Sequence, residues 1–88
     1  MTAKMIWKFP LELKEWQALD MPIGSEVLTL QVQEGTPTLW VMVDPLMPKV
    51  KKHFHIVATG QAISEEQHGL YHGTWQSGPF VWHLFEVD

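Results

Sequence analysis

Apolar and polar residues alternate along much of this chain, and the alternation predicts β-strands. The clearest example is SEVLTLQVQ, where Leu28, Leu30 and Val32 would lie on one face and polar residues on the other. The stretch TLWVMVD repeats the alternation after the tight connection "EGTP". Because Gly35 can adopt the backbone conformation that a short connection needs, we expect these two strands to form a hairpin.

Turn signals rich in proline and glycine divide the rest of the chain into short strands. We place them at residues 3–9, 15–20, 52–60 and 70–76, with a last strand after the "SGP" turn. Gly73 lies inside one of these stretches and predicts a β-bulge. Residues 61–69 are polar and fit either a single helical turn capped by Ser64 or a loop. The pattern predicts one all-β domain over residues 1–88, a small antiparallel sandwich or partly open barrel of five to seven short strands.

The last stretch, FVWHLFEV, is apolar on both faces. Phe80, Trp82 and Leu84 would share one face, and Val81 and Phe85 the other. Such a strand either lies between two layers or has one face covered by another subunit. A chain of 88 residues can hardly cover every strand on both sides. We therefore expect a homo-oligomer, with Phe80, Trp82 and Leu84 as the candidate interface and the opposite face as the alternative.

The charged residues argue against several classes of partner. Ten acidic residues oppose six lysines, the net charge is −4, and there is no arginine. Arginine is the usual residue for contacts to phosphate and guanine, so duplex nucleic acid is not expected as a partner. No apolar stretch approaches the ~20 residues of a membrane-spanning helix, so we expect no membrane association. The absence of cysteine excludes disulfides and fits a cytoplasmic location.

No group of residues has the spacing of a known catalytic site. The serines lack a G-x-S-x-G context, "EEQH" lacks the second histidine of a metalloprotease helix, and there is no glycine-rich phosphate loop. We therefore predict that the protein is not an enzyme and has no cofactor. His53 and His55 lie two apart on a predicted strand and could chelate a metal with His72 or His83 as third ligand. Solvent-facing strand residues are the simpler interpretation, so no metal site is predicted.

The one concentration of positive charge in the sequence lies at Lys49, Lys51 and Lys52. The simplest interpretation is a solubilising loop after two prolines. The alternative is an anion site, since lysines, imidazoles and hydroxyls on one strand can donate hydrogen bonds to an anion. A glycine at the end of the strand would let a ligand approach the backbone. The candidate ligand-binding residues are Lys51, Lys52, His53, His55, Thr59 and Gly60.

Several short motifs together resemble a known family. They are "MP-x-G", "QVQ-x-G-x-P-x-LW-x-x-VDP", "TG-x-x-I", "Y-x-GT" and "VWH-x-FE". In this chain they comprise Met21, Pro22, Gly24, Gln31, Val32, Gln33, Gly35, Pro37, Leu39, Trp40, Val43, Asp44, Pro45, Thr59, Gly60, Ile63, Tyr71, Gly73, Thr74, Val81, Trp82, His83, Phe85 and Glu86. With this pattern the chain resembles a family of small uncharacterised phage, prophage and bacterial proteins, described as a domain of unknown function. The resemblance brings no enzyme activity with it.

The resemblance implies a phage setting, in which small proteins often block a component of host defence. The expected function is that of a non-catalytic, phage-type binding module in the cytoplasm of the host cell. It would be an anti-defence protein that sequesters a small anionic, nucleotide-like ligand or blocks a host defence protein. The alternative is a homo-oligomeric structural or assembly accessory protein of a phage, with no small-molecule ligand.

Overall fold

The computed structural model describes residues 3–67 and 69–87. Within these residues the chain forms β-strands and no helix. The strands are β1 Met5–Pro10, β2 Trp16–Pro22, β3 Glu26–Gln33, β4 Thr36–Val43, β5 Lys49–Ala58, β6 Leu70–Ser77 and β7 Phe80–Val87. The described part of the chain accordingly contains no helix long and apolar enough to cross a membrane.

The strands form two antiparallel sheets that share one core. One sheet has the order β1-β4-β3 and the other the order β2-β5-β7-β6, and neither closes into a barrel. Their facing side chains exclude water from the space between the layers, which is the main source of stability in such a fold. The buried core residues are Leu11, Met21, Leu39, Val41, Val43, Phe54, Ile56, Trp75 and Leu84. The prediction of a small all-β sandwich is confirmed.

The hairpin between β3 and β4 follows the sequence signal. Gln33 pairs with Thr36, and the two residues between them have positive φ angles, 49° at Glu34 and 80° at Gly35. Two successive residues with positive φ are typical of a two-residue turn whose twist matches that of the strands. The predicted hairpin at "EGTP" is confirmed.

Two bulges interrupt the sheets, and only one was predicted. The register of β6 on β7 shifts between Tyr71 and Gly73, as the glycine in that strand predicts. A second shift lies between Val27 and Thr29 and makes Leu28 the extra residue of β3. Leu28 is therefore 43% exposed. The expectation that it shares one face with the other apolar residues of β3 was wrong.

The start of β5 differs from the prediction, and residues 61–67 decide between the two alternatives that the sequence left open. The strand predicted at residues 52–60, β5, begins at Lys49, three residues earlier than expected, because Met21 and Pro22 of β2 continue to pair with it. In residues 61–67 the amide of Gln67 donates to the carbonyl of Ser64 over 3.0 Å, which closes a turn rather than a helix. The loop alternative is therefore correct for these residues, while residue 68 lies outside the described part.

The last strand, β7, lies inside its sheet between β5 and β6. Leu84 has no solvent exposure and belongs to the core, while Trp82 packs against the core and is half-buried. Phe80 stacks on Trp82 at 5.8 Å between ring centroids and is 58% exposed. One apolar face of β7 is thus explained by the sandwich itself. Of the three candidate interface residues, Phe80 alone is broadly exposed in a single chain, and the interface stays a prediction.

Candidate functional site

Strand β5 is covered on both faces over four consecutive residues. Phe54, His55, Ile56 and Val57 are each at most 3% exposed. Phe54 and Ile56 belong to the core, so the alternation of a strand places His55 and Val57 on the outer face of the sheet. Burial there requires other parts of the chain to lie over that face.

His55 joins the segments that form this cover. Its ring stacks on Trp16 at 3.9 Å and is nearly parallel to it, at 4°. Its Nδ1 lies 3.0 Å from the carbonyl oxygen of Gln67, and its Nε2 lies 3.3 Å from Oε1 of Glu15. A carbonyl oxygen only accepts hydrogen bonds, so Nδ1 carries a proton. We call Glu15, Trp16, His55 and Gln67 the His55 cluster.

The connection between β1 and β2, residues 11–15, is held by hydrogen bonds on both sides. The amide of Ile56 in β5 donates to the carbonyl of Glu15 over 2.8 Å. The side-chain amide of Gln17 binds the backbone of Glu12: its oxygen accepts from the N–H over 3.1 Å, and its nitrogen donates to the carbonyl over 2.7 Å. The connection is therefore ordered by hydrogen bonds at both of its ends.

Gln61 closes the edge of β5 beyond this connection. Its backbone amide donates to the carbonyl of Ala58 over 3.1 Å, and its Oε1 accepts from the amide of Ala58 over 3.1 Å. The residue thus satisfies both backbone groups of Ala58, as a neighbouring strand would. Because Oε1 is committed to Ala58, the donor end of the amide, Nε2, is left for another partner.

A cavity lies between the connection and β5. Its volume is about 230 Å³. Such a volume is slightly smaller than the roughly 300–1,000 Å³ of pockets that bind drug-sized molecules. The lining residues are Leu13, Lys14, Glu15, Ile56, Gln61 and Trp82.

Two of the three polar residues that line the cavity, Lys14 and Gln61, can donate hydrogen bonds. Lys14 is paired with Glu12 at 3.0 Å, but both side chains are more than half exposed, so this pair contributes little and can be exchanged. Gln61 offers its Nε2. Glu15 is the third polar residue of the lining, and Oε1 of its carboxylate lies 3.3 Å from Nε2 of His55. The two donors suit a ligand that accepts hydrogen bonds.

Trp82 also carries an unpaired donor. Its Nε1 is buried and has no hydrogen-bond partner among the described residues. An unpaired buried donor costs about 1–3 kcal/mol and is uncommon in folded proteins. Because Nε1 is out of contact with solvent, it is not one of the donors that face the cavity.

Comparison with known families identifies the chain. A family model described as a domain of unknown function, DUF7352, matches residues 2–88. The chain belongs to this family. Neither the curated proteins nor the solved structures include a match to it. The function of this DUF7352 domain has to be argued from its own geometry.

The lysines of the candidate site predicted on β5 point to opposite faces of the sheet. Lys51 pairs with Asp20 at 3.2 Å, and Lys52 lies 3.6 Å from Glu86. Glu86 sits directly opposite the core residue Phe54, so Lys52 lies on the inner side. The two lysines therefore cannot hold one small ligand together.

The other candidate residues on β5 are spread along the strand. His53 is exposed, whereas His55 is buried and engaged through both ring nitrogens. Gly60, with a φ of 89°, lies in the turn that follows the strand. Lys51 and Thr59 are separated by eight residues, about 27 Å along a strand. No small ligand spans that length, and a site over part of this set stays a prediction.

His83 occupies a cluster of hydroxyl groups on the outer face of β6 and β7. The hydroxyl of Thr59 lies 2.7 Å from its Nε2 and 3.3 Å from the carbonyl of Val81, and it can give its one proton to either. The direction of the contact with Nε2 therefore depends on the tautomer of His83. Nδ1 lies 2.9 Å from the hydroxyl of Thr74, which the hydroxyl of Tyr71 also contacts.

The histidines considered as metal ligands do not converge. His72 lies 2.9 Å from Glu86, on a different part of the sheet from the His55 cluster. His83 has its hydroxyl partners, and His55 has Glu15 and Gln67. Across residues 3–67 and 69–87, no three side chains of His, Cys, Asp or Glu gather in a geometry that could hold a metal.

The first prediction concerns the His55 cluster. His55→Ala removes a buried ring and leaves its partners unpaired, so we expect a loss of about 2–3 kcal/mol in the free energy of unfolding. For a domain of this size that corresponds to a melting temperature lower by roughly 10 °C or more. His53→Ala, an exposed residue on the same face, is the matched control and should stay within about 0.5 kcal/mol. Equal effects of both changes in thermal denaturation would contradict the structural role of His55.

Proposed function

We propose that this DUF7352 domain is a non-catalytic binding module that takes up a small anionic ligand in the cavity beside Trp82. The observation that carries the proposal is the chemistry of the lining. Apolar side chains lie beside two donors, Nε2 of Gln61 and the ammonium of Lys14, whose pair with Glu12 is exposed and exchangeable. A site of this kind is complementary to an acceptor group on an apolar body.

The segments that line the cavity are held by hydrogen bonds, and this order supports a role of the cavity in binding. Residues 11–15 are held by Gln17 and by the amide of Ile56, and Gln61 is held by Ala58. A site that is already ordered before the ligand arrives loses little conformational freedom on binding.

The biological setting that we propose is a phage or prophage protein acting in the cytoplasm of the host cell. The motifs quoted above support it, since they resemble those of small phage and bacterial proteins. Sequestering a small anionic, nucleotide-like molecule, or covering a host defence protein, would need no catalytic group. A domain with one small site is suited to such a task. In this setting the cavity binds the ligand and the chain carries out no further step.

A second candidate function is a homo-oligomeric structural or assembly accessory of a phage. The observation that favours it is Phe80, a large aromatic side chain that is 58% exposed beside Trp82. Aromatic side chains are enriched in the energetically important part of protein interfaces. Its neighbours across the turn are uncharged, with Ser77 directly opposite in β6. Two copies could therefore meet there without repulsion between like charges.

The second prediction tests ligand uptake at the cavity. In a thermal-shift screen of small anions, including nucleotides, inorganic phosphate and carboxylates, at least one should raise the melting temperature of the intact chain. Lys14→Ala should remove most of that rise, because it deletes the cation of the cavity. Lys51→Ala is the matched control, an exposed lysine that is also paired with an acid, at 3.2 Å. It should leave the rise unchanged.

Two results of this screen would count against the proposal. Loss of the shift in Lys51→Ala with retention in Lys14→Ala would move the site to the outer face of β5. The absence of any shift across the screen would favour the accessory function.

The third prediction tests self-association. If Phe80 anchors a dimer, sedimentation of the 10.2 kDa chain should show a species of about twice that mass at high micromolar concentration. Phe80→Glu should return it to the monomer, because a buried unpaired charge is unfavourable. Leu46→Glu, which changes an apolar side chain that is 83% exposed on another loop, is the control. A monomer for the unaltered chain at every concentration would eliminate the dimer.

A further inference from the structure

We infer that the ligand of this cavity is a small monocarboxylate on a compact apolar body, with the body against the apolar lining and the carboxylate held by Lys14 and Gln61. The inference rests on the proposed function, because it names the class of ligand for the same cavity. Three properties of the lining lead to it: the volume, the distribution of apolar side chains, and the number of open charges.

The volume sets the size of the ligand. An apolar cavity of about 150 Å³ can hold a benzene ring, so a space of about 230 Å³ accommodates one compact ring, with the rest of the ligand on the open side, where Leu13 is 61% exposed. Benzoate is a molecule of that size. A nucleoside monophosphate is much larger, and either its base or its phosphate would remain outside the cavity.

The apolar side chains set the character of its body. Leu13, Ile56 and Trp82 supply half of the lining residues. They favour a hydrocarbon body, preferably a flat ring, which gains from leaving water. Inorganic phosphate has no such body and would leave these side chains facing water.

The two donors of the lining determine the charge and shape of the ligand's polar group. Lys14 supplies one positive charge, and Nε2 of Gln61 supplies a neutral donor whose orientation is fixed by Ala58. A carboxylate has two oxygens and can accept one hydrogen bond from each donor. A second negative charge would have no cation to meet and would be opposed by the net charge of −4. A monoanion is therefore the best match.

The experiment is a titration of the full chain followed through its tryptophan indole N–H signals by nuclear magnetic resonance. The sequence has five tryptophans, and the signal that disappears in Trp82→Phe identifies Trp82. The probes are benzoate, its neutral isostere benzamide, adenosine monophosphate and inorganic phosphate. Benzoate should shift the Trp82 signal, and benzamide should bind at least about tenfold more weakly, because a charge-assisted hydrogen bond is lost. Lys14→Ala should weaken benzoate by about tenfold, and Lys8→Ala, which changes an exposed lysine of β1, should not.

Each other outcome overturns a defined part of the account. If adenosine monophosphate or phosphate shifts the Trp82 signal and benzoate does not, the carboxylate class is wrong and the binding module stands. If benzamide binds as tightly as benzoate, the role assigned to the charge is wrong. If none of the four probes moves the Trp82 signal, neither the inference nor the cavity as the site of the proposed function survives. The side chain of Lys14 is exposed, so Lys14→Ala is expected to fold. The comparison of Lys14→Ala with the unaltered chain therefore remains possible even if Trp82→Phe does not fold.

Discussion

The fold depends on a polar side chain, His55, buried without solvent exposure on the outer face of a sheet. A buried imidazole is tolerated only where its nitrogens have partners, and here Glu15 and Gln67 supply them. These partners come from the connection before β2 and from the turn after β5. The two contacts of the His55 ring thus hold the connection before β2 and the turn after β5, which have few core residues of their own. In a domain this small, these contacts take the place of a further layer of apolar side chains over the outer face.

The cavity is a consequence of the same arrangement. The connection at residues 11–15 follows the edge of β5 as far as Ile56 and then leaves it, so Ala58 would have an unpaired edge. Gln61 covers that edge with its own backbone and side chain. The space between the connection and Gln61 is lined by both, which explains why residues distant in sequence meet there. The protected edge and the cavity are therefore two results of one local geometry.

The sequence was informative where the signal is local. The alternation in TLWVMVD predicted the strand that forms β4, and "EGTP" with Gly35 predicted the hairpin between β3 and β4. The bulge that turns Leu28 outward had no such signal, since no glycine marks it. A bulge without glycine is decided by the pairing of whole strands, which the alternation alone does not contain.

The candidate site was much less predictable than the fold. Lys14 and Gln61 lie 47 positions apart in the sequence, and nothing in either neighbourhood marks them as partners. The pattern "HFH" did draw attention to His55, but as a ligand residue and not as the centre of a buried cluster. Trp82 was placed on the correct face, yet its unpaired Nε1 depends on the packing around it. Sites assembled from a connection, a strand and a turn require the tertiary structure before they can be recognised.

The central claim is that the space beside Trp82 is a ligand site with its anion-binding groups at Lys14 and Gln61. A crystal structure of the chain grown with benzoate tests it most directly. The account predicts the ring of benzoate inside the cavity, with its carboxylate oxygens within about 2.7–3.2 Å of Nζ of Lys14 and Nε2 of Gln61. A cavity filled by the protein's own side chains, or benzoate bound instead beside Lys51 and His53, would contradict it.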